Sequence, residues 1–154
     1  MPNLKSNKGF SLIEVLIAIT LLAIGLLAVA GMQTTAITGN SFSQTGTVAV
    51  HLAEEMVDRI RSNATTRPDR YAGVNTGSSV TALAAALEEP AETDVLGWKS
   101  RLESSLLPNA TGTITVDSNA PIGNTATVRV TVGWGLGGNA RSVTLTTILE
   151  TWGT

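Results

Sequence analysis

The chain contains no cysteine and one histidine, His51, in 154 residues. Without a thiol, an internal disulfide scaffold, a zinc ribbon, an iron–sulfur site and thiol catalysis are all excluded. One imidazole is a poor basis for a Ser-His-Asp triad or a multi-histidine metal centre. No catalytic residue, metal ligand or cofactor is therefore expected. Charge is also scarce, at 14% of residues, where an average soluble protein carries about 25%. Ten basic and 12 acidic side chains give a net charge of -2, which offers no basic excess for a nucleic-acid partner. The shortage is local, because no Asp, Glu, Lys or Arg occurs in the 39 residues from Val15 to Ala53. The length suits one ordinary domain, so the uncharged N-terminal third is the feature to explain.

The first nine residues are polar and include Lys5 and Lys8. From Val15 to Met32 the only polar side chain is Thr20. This run approaches the roughly 20 apolar residues needed to span a bilayer. No further Lys or Arg appears until Arg59, so the lysines place the N-terminus in the cytoplasm and the remainder across the membrane. Three readings fit the run. A cleaved secretory signal has an A-x-A site available at Ala28-Val29-Ala30. A plain membrane anchor needs only the length. Both leave Glu14 unexplained, because an acid at the centre of a membrane helix costs about 2.5–3.5 kcal/mol, and less near an end. Glu14 either favours a helix N-terminus near the interface or serves a function within the membrane.

The third reading takes the neighbouring residues together. The string Lys8-Gly9-Phe10-Ser11-Leu12-Ile13-Glu14-Val15-Leu16 closely resembles the processing motif of type IV prepilins and the related pseudopilins. The resemblance implies a cut between Gly9 and Phe10 by a prepilin peptidase/methyltransferase, N-methylation of Phe10, and a subunit-docking role for Glu14. The chemistry is consistent with it. Cleavage on the cytoplasmic side creates an amine at Phe10, and pairing that cation with Glu14 of a neighbouring subunit offsets the burial of both charges. Loss of residues 1–9 would leave eight basic and 12 acidic side chains, a net charge of -4.

Helical periodicity continues past Met32. Val48, Leu52, Met56 and Ile60 are spaced by four, while Glu54, Glu55, Asp58, Arg59 and Arg61 point elsewhere, as an amphipathic helix requires. Glu55 and Arg59 form an attractive i,i+4 pair, and Glu54 and Asp58 a repulsive one. One helix from Phe10 to about Ser62 would be about 80 Å long. Gly25, Gly31, Gly39 and Gly46 interrupt it, each costing roughly 1 kcal/mol against alanine. They serve either close helix packing or local melting. The Thr-, Ser- and Gly-rich stretch from Gln33 to Thr47 also admits a break. Gly25 to Gln33, and Leu52 to Asn63 with its Asp58-Arg59-Ile60-Arg61 core, resemble the minor pilins called type IV pilus modification protein PilV. In that light Asp58, Arg59 and Arg61 are candidate contacts to other minor pilins, against the plainer reading of a solvated helix end.

Beyond Asn63 the chain turns repeatedly, at Pro68, Gly73 and Gly77. Thr81–Pro90 reads as a short helix or loop. A clearer helix is expected from about Thr93 to Pro108, with Trp98, Leu102 and Leu106 on one face. Trp98 reads as core rather than function. The period then changes to two. Gly112–Asp117, Thr125–Trp134 and a third run through Val143, Leu145 and Ile148-Leu149 predict antiparallel strands. Ile114, Val116, Val128, Val130, Val132 and Trp134 should face inward. Gly133-x-Gly135-x-x-Gly138 matches a dinucleotide-binding string, but a strand rather than a helix follows, so it reads as a hairpin loop. Many pilins close a C-terminal loop with a disulfide, and this chain cannot.

The expected fold is α+β and pilin-like: a long N-terminal helix packed on a small antiparallel sheet. The expected segments are a leader (1–9), a transmembrane or filament-core half-helix (10–32), an amphipathic half-helix (33–63) and a periplasmic head (64–154). The resemblance implies a non-enzymatic minor pilin of the inner membrane and then of the pilus. It would help prime assembly within a tip-located complex and so support twitching motility and adhesion. Its implied partners are the prepilin peptidase/methyltransferase, other minor pilins and the major pilin, the inner-membrane assembly platform, and lipid. A type II secretion pseudopilin shares the leader motif and is the nearest rival. A secreted protein with an ordinary signal peptide is a more distant one.

Overall fold

A computed structural model describes residues 9–63, 67–135 and 139–151. The leader residues before Gly9 lie outside the described residues. The elements run in the order α1 (Leu12–Asn63), a 3-10 turn (Pro68–Tyr71), β1 (Val74–Asn75), α2 (Val80–Ala86), α3 (Ala91–Ser104), β2 (Thr111–Ser118), β3 (Thr125–Trp134) and β4 (Arg141–Glu150). The chain divides into two compact units, Met1–Phe42 and Ser43–Thr154.

The first unit holds the start of α1. Its apolar side chains are exposed, from Leu12 and Ile13 through Leu27 to Met32, among the described residues. α1 is long and apolar enough to cross a membrane. The helix continues without a break through Gln33–Thr47. Threonine hydroxyls there are satisfied by carbonyls one turn back: Thr34 donates to Ala30, Thr38 to Thr34 and Thr47 to Ser43. This local bonding satisfies the hydroxyls within the helix itself.

The second unit is an α+β head built on the last part of α1. Ala49, Ala53, Met56, Val57 and Ile60 are buried and share a core with Trp98, Leu102, Ile114, Val128, Val130 and Val132. The sheet is antiparallel, in the order β1-β2-β3-β4. Alternation places Val128, Val130, Val132 and Trp134 inward, as the sequence pattern requires. Trp98 is fully buried, and its Nε1–H donates to the Leu52 carbonyl at 2.8 Å.

Three expectations need correction. Leu106 is exposed and Leu107 is buried in its place, because α3 ends at Ser104 and the helical spacing no longer applies. α3 begins at Ala91, two residues before Thr93. Between the turns at Gly73 and Gly77 lies a short strand, β1, where the sequence pattern indicates only turns. Two residues are too few to show alternation, yet Val74 pairs with Ile114 and Asn75 with Thr113.

Candidate functional site

Gly9 and Phe10 precede the first helical turn and are exposed. The Ser11 carbonyl accepts the Glu14 N–H at 3.0 Å and the Val15 N–H at 3.3 Å. Ser11 is thus the residue from which α1 starts, and Glu14 lies in its first turn. A carboxylate there complements the unpaired N–H groups and the positive end of the helix dipole. Sequence reading by apolar run alone passes over Ser11, although Ser-x-x-Glu before an apolar run is a recognised helix-start pattern. Phe10, Glu14, Val15, Ala18, Ile19 and Leu22 line one shallow apolar groove. Glu14 is its only charged side chain. The peptide bond from Gly9 to Phe10 is therefore accessible, and the acid sits on an otherwise greasy helix face.

The second candidate group lies at the other end of α1. Its three members have different surroundings. Arg59 is held inside the head. Its Nε donates to Glu55 Oε1 at 3.0 Å, and its Nη1 to Asp94 Oδ1 at 3.2 Å. Asp94 Oδ2 accepts from Asn63 Nδ2 and Tyr71 Oη, both at 2.7 Å. Arg101 pairs with Glu55. The network joins α1, α3 and the 3-10 turn. Burial, then the hydrogen bond to the Asp94 carboxylate, raises the Tyr71 hydroxyl above its ordinary pKa, because both disfavour the phenolate. Asp58 and Arg61, by contrast, face solvent. They pair at 3.3 Å, and Arg61 Nη2 donates to Thr147 Oγ1 at 3.0 Å on β4. Sequence spacing revealed the Glu55–Arg59 pair, but Asp94 and Tyr71 are 35 and 12 residues from Arg59 and carry no local signal.

Among the described residues, no three His, Asp or Glu side chains converge as a metal centre would require. His51 is exposed beside Glu54 at 3.4 Å. In the glycine string, Gly133 ends within β3 and β3 pairs directly with β4. No helix N-terminus follows to hold a phosphate, which agrees with a hairpin. Gly138 and the tip of that hairpin lie outside the described residues.

Residues 4–30 match the prokaryotic N-terminal methylation motif. No curated protein and no solved structure matches the chain. The motif, the apolar start of α1 and the α+β head together support a type IV pilin-like architecture. The motif implies processing by a prepilin peptidase and assembly with other pilins, and with the apolar helix it fits a membrane-anchored, structural protein.

Proposed function

We propose that the chain is a minor type IV pilin of the PilV type, which helps prime pilus assembly within a tip-located minor pilin complex. In this reading residues 1–9 are the leader, 10–32 the membrane and filament-core helix, 33–63 its amphipathic extension and 64–154 the periplasmic head. The peptidase cuts between Gly9 and Phe10 and methylates Phe10. Glu14 then pairs with the Phe10 amine of a neighbouring subunit, setting the register between packed helices. The N-terminus faces the cytoplasm until assembly carries the head to the surface. The observation that carries the reading is one juxtaposition: an accessible Gly9–Phe10 bond directly before a helix whose apolar face holds the single acid Glu14.

Two of the candidate contacts on α1, Asp58 and Arg61, present charge to solvent and remain proposed contacts to other minor pilins. Arg59 would act by fixing the helix end rather than by touching a partner. The test is N-terminal sequencing with mass determination on the membrane-extracted protein. A chain beginning at N-methylated Phe10 is expected, and one beginning at Gly31 would return the segment to an ordinary secretory signal. Glu14→Ala should leave cleavage intact while removing the chain from sheared pili. Deletion of the gene should abolish pili and twitching. Loss of exoprotein secretion with pili intact would assign the chain to a secretion pseudopilus instead.

A further inference from the structure

Among the described residues, β4 is an open edge of the sheet. Its only strand neighbour among the described residues is β3. The pairing runs in unbroken register from Thr125↔Glu150 to Trp134↔Arg141, without a bulge. The only charges of β4 are at its ends, Arg141 and Glu150, and it has no lysine or proline. Exposed edges ordinarily carry such devices to prevent strand addition. The opposite edge is blunted, because only β1, two residues long, pairs with β2 there. The inner side chains repeat the asymmetry. Val130 and Val132 on β3 are fully buried, whereas their β4 partners Leu145 and Val143 are only partly covered.

A groove of about 350 Å³ follows this edge, between β4 and α1. It is lined by Val57, Leu145, Thr146 and Thr147, with Glu54, Asp58 and Arg61 among its walls. Two carboxylates and one guanidinium leave it with an excess negative charge. A second copy of β4 does not match this chemistry. In full antiparallel overlap Leu145 would lie opposite Thr146, so the second copy would turn Thr144, Thr146 and Ile148 to the groove, and its only base, Arg141, would stay at the far end.

The geometry points to β4 as an acceptor for an added strand from a different polypeptide: an extended segment that alternates apolar and polar residues and carries one base toward Glu54 and Asp58. Main-chain bonds to the open edge supply affinity, and the groove selects the side chains. The apolar residues cover Leu145 and Val57, and the base neutralises the wall. This inference rests on the head alone and holds for either a pilus or a secretion assembly.

The probe is a labelled ten-residue peptide of alternating valine and threonine with one lysine on the valine face, titrated into the full chain in detergent. Saturable binding is expected, with slowed amide exchange confined to Arg141–Glu150. Replacing the lysine by glutamate should weaken binding about tenfold, as loss of a charge-assisted contact implies. In the Glu54→Lys/Asp58→Lys variant the preference should reverse, a result that loss of folding cannot produce. Absence of saturable binding overturns the proposal. So does equal binding of a backbone N-methylated peptide, protection elsewhere in the chain, or a preference that the charge swap leaves unchanged. Self-association through β4 without peptide would overturn it in favour of a second copy.

Discussion

Tyr71 is the only tyrosine, so its ionisation can be followed alone. Its hydroxyl donates to Asp94 from a buried position. Tyrosine ordinarily ionises near pH 10, and burial beside a carboxylate raises that value in the fold. The unfolded chain can release this proton where the folded head cannot. The contribution to stability is therefore fully present below about pH 10 and declines as pH rises beyond it. Tyrosinate absorbance should emerge only well above pH 10, together with unfolding. Tyr71→Phe should cost about 1.5 kcal/mol at pH 7, for one hydrogen bond to a charged group, and should flatten the alkaline slope in urea melts. An unchanged slope would mean that Tyr71 is not the titrating group. Gly112 makes a second case. A methyl built there overlaps the ring of Trp98, which is fully buried and cannot yield. Gly112→Ala should destabilise the head by about 1–3 kcal/mol. Combined with Trp98→Leu it should cost less than the two changes added together, because the pair shares one space.

At the scale of the element, α1 poses the question of its glycines. Nothing lies within 4 Å of a methyl added at Gly25, Gly31, Gly39 or Gly46. Within the chain they are simply weak helix formers, each costing roughly 1 kcal/mol against alanine. Gly31→Ala and Gly46→Ala should therefore slow amide exchange along α1 in detergent. If the glycines instead admit neighbouring helices, the same variants should be depleted from sheared pili. Normal pilus incorporation with slower exchange would discard the packing reading. The sequence made α1 legible because its signals are local: apolar length, spacing by four, and Glu55 one turn from Arg59. Strands β2 to β4 were legible because alternation persists over eight to ten residues. The rest depended on distant partners. β1 exists only because Val74 and Asn75 meet β2. Leu107 replaces Leu106 in the core because α3 stops at Ser104. The tie among Arg59, Asp94 and Tyr71 forms only when three elements meet. At the processing site, Gly9, Phe10 and Glu14 were legible as a string, whereas the role of Ser11 in starting the helix emerged from its carbonyl bonds.

For the whole molecule, the division into two units predicts that the head folds without the apolar segment. Every member of the buried cluster lies between Ala49 and Leu149. The large apolar residues from Phe10 to Met32 are exposed, so among the described residues their removal takes away no buried side chain. A chain of residues 33–154 has eight basic and eleven acidic side chains, a net charge of -3, which favours solubility. It should be soluble without detergent and unfold cooperatively, with stability within about 0.5 kcal/mol of the full chain, the usual range for changes remote from a core. A start at residue 55 should behave differently. It removes Ala49 and Ala53 from the core and takes away the Leu52 carbonyl that accepts the buried Trp98 N–H. An unsatisfied buried donor alone costs about 1–3 kcal/mol, and the sheet loses part of its cover as well. Near-ultraviolet circular dichroism through a thermal melt separates the cases: a sharp tryptophan transition for 33–154, and a weak or absent one for 55–154. Equal melts for both would mean that the turns of α1 from Ala49 to Glu54 only rest on the head, whereas the predicted difference would make them part of its core.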